Sequence, residues 1–392
     1  MPYPKLLDDD RIVVEAARDF ARKRLAPYSL EWDAQSHFPV DEMREAASLG
    51  MAGIYTSEDV GGSGLRRIDG VRIFEELAKA DPVTAAFLSI HNMCTWMVDT
   101  YGTPAQRERW VPKMASMEFI ASYCLTEPGA GSDAAALSTS ARRDGDGFVL
   151  RGSKQFISGG GVSDVYVVMA RTGDAGARGI STFVVPKDAP GLSFGPPEAK
   201  MGWNNQPTAQ VIFDDVRVPA DALLGGPDAE GTGFSIAMNG LNGGRLNIAA
   251  CSLGGAQSAY DKTLAYTAER EAFGKPLIQE PTIAATLADM AIALEASRLM
   301  LWRAADALDA DDPDRVELCA MAKRFVTESC FTVADQALQL HGGYGYLHET
   351  GIEKIVRDLR VNRILEGTNE IMRMVIGRAE AQRAAASQKG TR

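Results

Sequence analysis

The chain has 392 residues, of which 45% are hydrophobic and 24% charged, as in an ordinary globular protein. Its 41 basic and 52 acidic residues give a formal net charge of −11. This acidic excess argues against nucleic acid or an anionic membrane as the main partner. The length is sufficient for roughly two to three domains and a large buried core.

The N-terminal part of the chain is predicted to be a helical domain, residues 1–120. The segment "RIVVEAARDFARKRLAP" repeats apolar residues at helical spacing and stops at Pro27. Pro82 begins a second helical run, and Gly102 follows its end.

A change of texture near residue 119 predicts a middle β-domain, residues 121–231. Short runs rich in β-branched and aromatic residues, such as "SDVYVVMART", are separated by turn signals such as Asp144-Gly145. Their spacing favours antiparallel strands in a sandwich or barrel over βαβ units.

Long helices are predicted again over residues 232–392, at lengths that favour a helical bundle. The fold class is therefore α+β. Two glycine pairs, Gly243-Gly244 and Gly254-Gly255, lie in a long helix, where each glycine costs about 1 kcal/mol relative to alanine. We expect close packing or the approach of a ligand to compensate.

Cysteine usage and the N-terminal segment bear on the compartment. The five cysteines are far apart and form no CxxC pair, which favours reduced, buried thiols. The segment "MPYPKLLDDD" resembles neither a signal peptide nor an arginine-rich presequence. The most hydrophobic helical window, "TIAATLADMAIAL", is too short to cross a bilayer and contains Asp289. We expect a bacterial cytoplasm and no membrane, or the mitochondrial matrix if the chain is a processed eukaryotic one.

Two segments of the middle region are candidate ligand contacts. "YCLTEPGAGSD" begins at Tyr123 and places small residues and hydroxyls after a strand, where backbone N–H groups can reach a polar ring edge or a phosphate. On composition alone, a simple turn is equally favoured. "FISGG" ends a strand with Phe156, Ile157 and Ser158, and by itself it is an unremarkable strand end.

Metal and nucleophile chemistry is poorly supported. The four histidines form no HExxH pair, and no GxSxG elbow occurs, so we expect no metal site.

Five motifs in order, "YCLTEPGAGSD", "FISGG", "REAFGKP", "LQLHGGYGY" and "ILEGTNEIMR", resemble the acyl-CoA dehydrogenase family over nearly the whole chain. The resemblance implies the fold of that family, with a helical domain, a β-domain and a C-terminal four-helix bundle. Segments such as "GWNNQPT" resemble the branch that oxidises isobutyryl-CoA to methacrylyl-CoA in valine catabolism.

The family likeness implies FAD as cofactor, an acyl-CoA thioester as substrate, electron-transferring flavoprotein as electron acceptor, and a homotetramer. By this likeness the residues in contact with FAD are Tyr123, Leu125, Thr126, Gly131, Ser132, Phe156, Ile157, Ser158, Arg270, Phe273, Gln339, Leu340, His341, Gly342, Gly343, Thr368, Asn369 and Glu370. Those from Arg270 to Gly343 reach FAD bound mainly to a neighbouring subunit. The implied acyl-CoA contacts are Ser132, Asn242, Gly243, Gly244, Arg245, Gly367 and Arg378.

The acid Glu366, between the pair Ile364-Leu365 and Gly367, matches the position of the family's catalytic base. Removal of a weakly acidic α-proton requires a carboxylate against the α-carbon, and an apolar setting raises the pKa of such an acid. The alternative is a solvated turn carboxylate before an N-capping Thr368. Relatives of the isovaleryl type carry the base at the position of Gly244, which cannot serve.

One departure concerns the QxxQF pattern of many relatives, which is replaced here by Pro281, Ala284 and Ala285. FAD contacts from that region are therefore in doubt. Three other functions stay open: an acyl-CoA dehydrogenase of another short-chain or 2-methyl-branched preference, an acyl-CoA oxidase, and a flavoprotein that binds acyl-CoA without turnover.

Overall fold

The computed structural model of the chain describes residues 8–390. Residues 1–7 and 391–392 lie outside it, and with them most of the segment on which the localisation prediction rests. The described N-terminal region forms six α-helices: α1 Asp8–Phe20, α2 Ser29–Gln35, α3 Val40–Ser48, α4 Arg67–Ala80, α5 Pro82–Tyr101 and α6 Pro104–Ala115. As predicted, Pro82 begins α5, and the carboxylate of Asp81 accepts a hydrogen bond from the backbone N–H of Thr84.

A seven-stranded sheet follows. Its strands are β1 Ala121–Cys124, β2 Ser140–Asp144, β3 Gly147–Ser158, β4 Val165–Arg171, β5 Ile180–Pro186, β6 Leu192–Phe194 and β7 Thr208–Pro219. The order is β1-β4-β2-β3-β7-β6, and β5 pairs with β4. Most pairs are antiparallel as predicted, but β4 runs parallel to β1 along its length and pairs in parallel with β2 at one residue pair. Two intervening strands allow the chain to cross over before β4, and parallel pairing requires such a crossover.

The C-terminal region returns to helices: α7 Gly233–Glu269, α8 Pro281–Asp309, α9 Arg315–His341, α10 Ile352–Arg360 and α11 Asn369–Gly390. A short hairpin, β8 Glu271–Ala272 and β9 Lys275–Pro276, separates α7 from α8. Helix α9 packs against α7, α8 and α11, so the C-terminal core is a helical bundle.

Close packing accounts for the glycine pairs of α7. A Cβ built on Gly254 would lie 2.2 Å from the backbone oxygen of Glu75, and one on Gly243 would lie 2.4 Å from the guanidinium of Arg67. The contact at Gly254 is with backbone and excludes a side chain there, whereas a side chain at Gly243 would displace the guanidinium of Arg67. These glycines let α7 approach α4, and their cost in helix propensity is offset by that packing.

A buried ionic cluster joins the helices to the segment between β6 and β7. Lys354 donates to Asp81 at 2.8 Å and to Asp358 at 2.7 Å, and all three side chains are buried. The other oxygen of Asp358 accepts from the backbone N–H of Trp203 at 2.7 Å, and Asn205 donates to Asp81. Because a buried charge without a partner is costly, this cluster fixes the 200–206 segment against α5 and α10.

Candidate active site

A cavity of about 1170 Å³ lies between the sheet and the helices α5, α7 and α11, and we call it the main cavity. It is also lined by the end of β1, the 125–135 loop, the end of β3, the 200–208 segment and the turn before α11. Thirteen of the residues predicted to be functional line it: Tyr123, Leu125, Thr126, Gly131, Ser132, Phe156, Ile157, Ser158, Arg245, Glu366, Gly367, Thr368 and Arg378. Segments far apart in sequence thus converge on one site.

Glu366 lies in the turn between α10 and α11, and its backbone is left-handed with φ 55°. Oε2 of its carboxylate is buried and has no hydrogen-bond partner within residues 8–390. A Cβ built on Gly244 of α7 would lie 2.3 Å from this oxygen, so the carboxylate packs against the bare backbone of that glycine. The turn thus holds an unpaired carboxylate in the wall of the main cavity.

Burial sets the protonation of this acid. Loss of solvation raises the pKa of Glu366 to about 7, while the cations Arg245 and Lys323 oppose the rise. Arg245 donates to the backbone oxygen of Glu366 at 3.3 Å and to Asn242 at 2.8 Å, not to the carboxylate. A carboxyl group with a pKa near neutrality can both take up and release a proton under ordinary conditions.

The loop after β1 is held by a buried ion pair. Lys154 of β3 donates to Glu127 at 2.8 Å and to the backbone oxygen of Leu125 at 3.1 Å. Glu127 also accepts from the backbone N–H groups of Ser138 and Thr139. The Lys154 ammonium and these donors outweigh burial and hold the pKa of Glu127 at about 2. The 125–132 loop is therefore anchored beneath the cavity, and Gly131 faces open space.

A β-bulge directs Phe156 to the cavity wall. Between Lys154 and Ile157, β3 has one residue more than β7, and Phe156 occupies this position with φ 58°. Its side chain is 64% exposed, although it is aromatic. Bulges commonly reorient side chains beside active sites, and here the bulge presents a flat aromatic surface.

Polar atoms without partners lie beside this surface. Gln206 donates from Nε2 to Oγ of Ser158 at 3.2 Å. Its own Oε1, like Nε1 of Trp203, is buried and has no partner in the described part of the chain. Because buried polar atoms are nearly always hydrogen-bonded, these two atoms point to a ligand with polar edges.

A second cavity, of about 620 Å³, lies at the junction of α7, α8 and the end of α9. It collects the other predicted cofactor contacts, Arg270, Gln339, Leu340, His341, Gly342 and Gly343. The ring of Tyr266 stacks on His341 at a centroid distance of 4.4 Å. The two cavities share no lining residue, so the predicted FAD contacts separate into two sets within one chain.

Six predicted residues line neither cavity. Phe273 is 93% exposed at the tip of the β8–β9 hairpin, with φ 53°. Three of these residues, Asn242, Gly243 and Gly244, are buried positions of α7. Asn369 is buried against α9, and Glu370 is exposed. At the departure from the QxxQF pattern, Pro281 begins α8, and Ala284 and Ala285 lie in its first two turns.

Sequence reasoning missed several residues of the main cavity. Helix α7 presents a stripe at helical spacing, comprising Phe234, Met238, Leu241, Arg245 and Ile248, of which only Arg245 had been singled out. This stripe could have been found from the 3.6-residue period. Lys200, Trp203 and Gln206 lie in a segment without regular structure, where no periodic signal exists.

Two features are absent from the described residues. None of the helices there is both long and apolar enough to cross a membrane. Over the same residues, His, Cys, Asp and Glu form no group of three or more that could hold a metal ion.

Comparison with known families explains the arrangement. The model of the acyl-CoA dehydrogenase N-terminal domain matches residues 8–118, that of the middle domain matches residues 122–216, and that of the C-terminal domain matches residues 231–381. The chain belongs to the acyl-CoA dehydrogenase family, whose members are FAD-dependent oxidoreductases. The predicted family and fold class are thereby confirmed.

Individual relatives narrow the comparison. The mitochondrial isobutyryl-CoA dehydrogenase of Dictyostelium discoideum is 54% identical over 378 residues, which are 96% of this chain and 90% of that protein. The Bos taurus protein of the same name is 52% identical over 381 residues, 97% of this chain and 91% of that protein. Butyryl-CoA dehydrogenase from Megasphaera elsdenii has a TM-score of 0.93 at 37% identity, covering 97% of this chain and all of that one.

The residues of the main cavity fit FAD. Phe156 presents an exposed aromatic face, Gly131 leaves the 125–132 loop open to the cavity, and the hydroxyls of Thr126 and Ser158 lie on its wall. The unpartnered polar atoms of Trp203 and Gln206 suit a flat ring with polar edges. The side chains present can therefore hold a flavin.

Proposed function

We propose that this chain dehydrogenates isobutyryl-CoA to methacrylyl-CoA, and that Glu366 is the base that removes the α-proton. One observation carries the proposal: Glu366 lies in the wall of the main cavity, and its carboxylate oxygen Oε2 is buried there without a hydrogen-bond partner in the described part of the chain. The two isobutyryl-CoA dehydrogenases at 54% and 52% identity support this substrate over others of the family.

The chemistry divides between the chain and its cofactor. Glu366 takes the α-proton, and the electron pair left on the α-carbon forms the new double bond as hydride leaves the β-carbon. Bound FAD would supply the acceptor for that hydride. The backbone N–H of Glu366 donates to no acceptor in the described part of the chain. We propose that it donates to the thioester oxygen, where negative charge develops.

The residue assignments follow the two cavities. We propose that the residues of the main cavity from Tyr123 to Ser158, with Thr368, Asn369 and Glu370, contact FAD of the same subunit. We also propose that Ser132, Gly367, Arg378 and the 242–245 stretch contact the acyl-CoA. The second cavity, with Phe273 beside it, would contact FAD of a neighbouring subunit in a homotetramer.

The remaining proposals concern partners and organisation. We propose electron-transferring flavoprotein as the electron acceptor and domain boundaries near residues 120 and 231. The relatives at 54% and 52% identity are named mitochondrial, so either that matrix or a bacterial cytoplasm fits the proposed activity.

The decisive experiment replaces the proposed base. Glu366→Gln is expected to bind FAD and acyl-CoA and to lose at least about 1000-fold in the rate of anaerobic flavin bleaching by isobutyryl-CoA. Glu380→Gln, an exposed acid on α11, is the control and should keep the parent rate. Appreciable bleaching in Glu366→Gln would remove Glu366 from this role.

Substrate and acceptor are separate questions. Isobutyryl-CoA should bleach the flavin faster than 2-methylbutyryl-CoA or butyryl-CoA, and the reverse order would reject the proposed substrate. With isobutyryl-CoA in air, the dehydrogenase proposal predicts slow peroxide release and rapid turnover once electron-transferring flavoprotein is added. Rapid peroxide release would instead favour an oxidase.

A further inference from the structure

Lys323 is a buried cation whose hydrogen bonds go to neutral oxygens. It lies in the middle of α9 with no exposed surface. Its Nζ donates to the backbone oxygen of Gly367 at 2.7 Å and to Oδ1 of Asn369 at 3.0 Å. Both acceptors belong to the turn that carries Glu366, so α9 holds this turn through Lys323.

Other buried lysines of the chain behave differently. Lys154 pairs with Glu127 at 2.8 Å, and Lys354 pairs with Asp81 and Asp358. No carboxylate lies within ion-pair distance of Lys323 in the part of the chain that the structure describes. Because a buried charge without an ion-pair partner is costly, a lysine in this setting is a candidate for a functional role.

The turn requires an external restraint. Glu366 and Gly367 have consecutive left-handed backbones, with φ values of 55° and 90°. For a residue with a side chain this conformation costs about 1–2 kcal/mol. Thr327, one turn after Lys323 on α9, exchanges hydrogen bonds with the Asn369 side chain at 3.1 and 3.2 Å. The restraint therefore comes from one face of α9.

We propose that Lys323 is a positioning residue for the proposed dehydrogenation: it clamps the Glu366–Asn369 turn through neutral oxygens and leaves the Glu366 carboxylate unpaired but next to a positive charge. A direct ion pair would fix the charge of the carboxylate and weaken it as a base. A cation that is hydrogen-bonded to Gly367 and Asn369 stabilises the Glu366 carboxylate by its charge and leaves the carboxylate oxygens free. This inference rests on the proposed role of Glu366.

Several groups face Glu366 and bear on its titration. Arg245 approaches it from α7 and Lys323 from α9, and both lower its pKa against the effect of burial. Burial raises the pKa values of Tyr123 of β1 and Cys251 of α7, and the nearby charge of Glu366 adds to the rise. Burial lowers the pKa of Lys323 to about 8, while the charges of Glu366, Glu370 and Glu328 oppose this decrease. Of these groups, Lys323 is the one whose hydrogen bonds reach both Gly367 and Asn369.

The test measures protonation of Glu366 directly. Infrared spectra of the FAD-bound protein, recorded across pH, contain a carboxyl band assigned to Glu366 by its loss in Glu366→Gln. Lys323→Met should raise the pKa read from this band by about 1 unit or more and slow anaerobic flavin bleaching at neutral pH by about 10- to 100-fold. Lys354→Met, which removes another buried lysine, should lower stability and leave the Glu366 pKa unchanged.

Two further variants make the result decisive. In a Glu366→Gln background, Lys323→Met should slow the residual bleaching no further, because Lys323 acts through Glu366. Asn369→Asp keeps the volume and pairs the cation, so it should also raise the Glu366 pKa if Lys323→Met fails to fold. An unchanged Glu366 pKa in whichever of these variants folds would overturn the proposal. Retained activity in Glu366→Gln would overturn the role of Glu366, independently of the infrared result.

Discussion

The carboxylate of Glu366 packs against the backbone of Gly244, on a helix 122 positions earlier in the chain, with Oε2 only 2.3 Å from where a Cβ would stand. This contact shows that the position of an acid in the turn before α11 depends on the absence of a side chain on α7. It also links the glycine pair of α7 to the chemistry proposed for the cavity.

Gly244→Ala is therefore expected to displace the Glu366 carboxylate. A misplacement of about 1 Å can cost about 100-fold in rate, so bleaching by isobutyryl-CoA should slow by roughly that factor while FAD stays bound. Stopped-flow absorbance measures both quantities. Gly377→Ala, in α11 where a Cβ would meet nothing within 4 Å, is the control and should keep the parent rate. Equal rates in both variants would contradict the displacement.

The raised pKa of Glu366 predicts a pH-dependent effect on stability. The folded protein holds this proton up to a pH of about 7, whereas the unfolded chain releases it near pH 4.5. The free energy of unfolding should thus fall as pH rises between these values, by at most about 3 kcal/mol from this group. In Glu366→Gln, this decrease in the free energy of unfolding with rising pH should be absent.

Chemical denaturation of the Glu366→Gln protein at pH 5 and at pH 8 measures the effect. The gain in free energy of unfolding over the parent should be larger at pH 8 than at pH 5. Glu380→Gln, exposed on α11, should show no such difference. Gains of equal size at both pH values for Glu366→Gln would mean that its pKa is not raised.

Lys154→Met should destabilise the protein and loosen the 125–132 loop, which is proposed to contact FAD. It leaves the buried Glu127 carboxylate without its cation, at a cost of about 3–5 kcal/mol, and removes the hydrogen bond to Leu125. Denaturation and FAD titration measure the two effects. The control is Arg151→Met on the same strand, whose exposed pair with Asp215 is worth at most about 1 kcal/mol. Similar losses in both variants would show that the buried pair has no special role.

The proposed homotetramer, in which the second cavity contacts FAD of a neighbouring subunit, predicts complementation between subunits. Arg270→Ala should weaken FAD binding by roughly tenfold or more, the value of a charge-assisted hydrogen bond, although Arg270 does not line the main cavity. In tetramers that mix Arg270→Ala subunits with Glu366→Gln subunits, the former supply Glu366 and the latter supply Arg270. FAD titration and bleaching of purified mixed tetramers should exceed the average of the two parents. A simple average would argue that each subunit binds its FAD alone.

Local pattern determined much of the fold. Apolar residues at helical spacing, Pro82 at the start of α5 and Gly342 after α9 mark helix bodies and ends, because these preferences act within a few residues of chain. The parallel pairing of β1 with β4 was not predictable in this way. Pairing partners are chosen by contacts between residues distant in sequence, and a period of two does not encode the direction of the neighbouring strand.

The features of the site also separate into those that the sequence indicated and those that only the tertiary structure determined. The order of five motifs identified the family and pointed to Glu366 from the chain alone. That Gly244 makes room for its carboxylate, that Lys323 clamps its turn and that Trp203 and Gln206 border the cavity were decided by the tertiary structure. Packing brings together helices and loops whose separation in sequence is large, and burial then sets the protonation that no local pattern fixes.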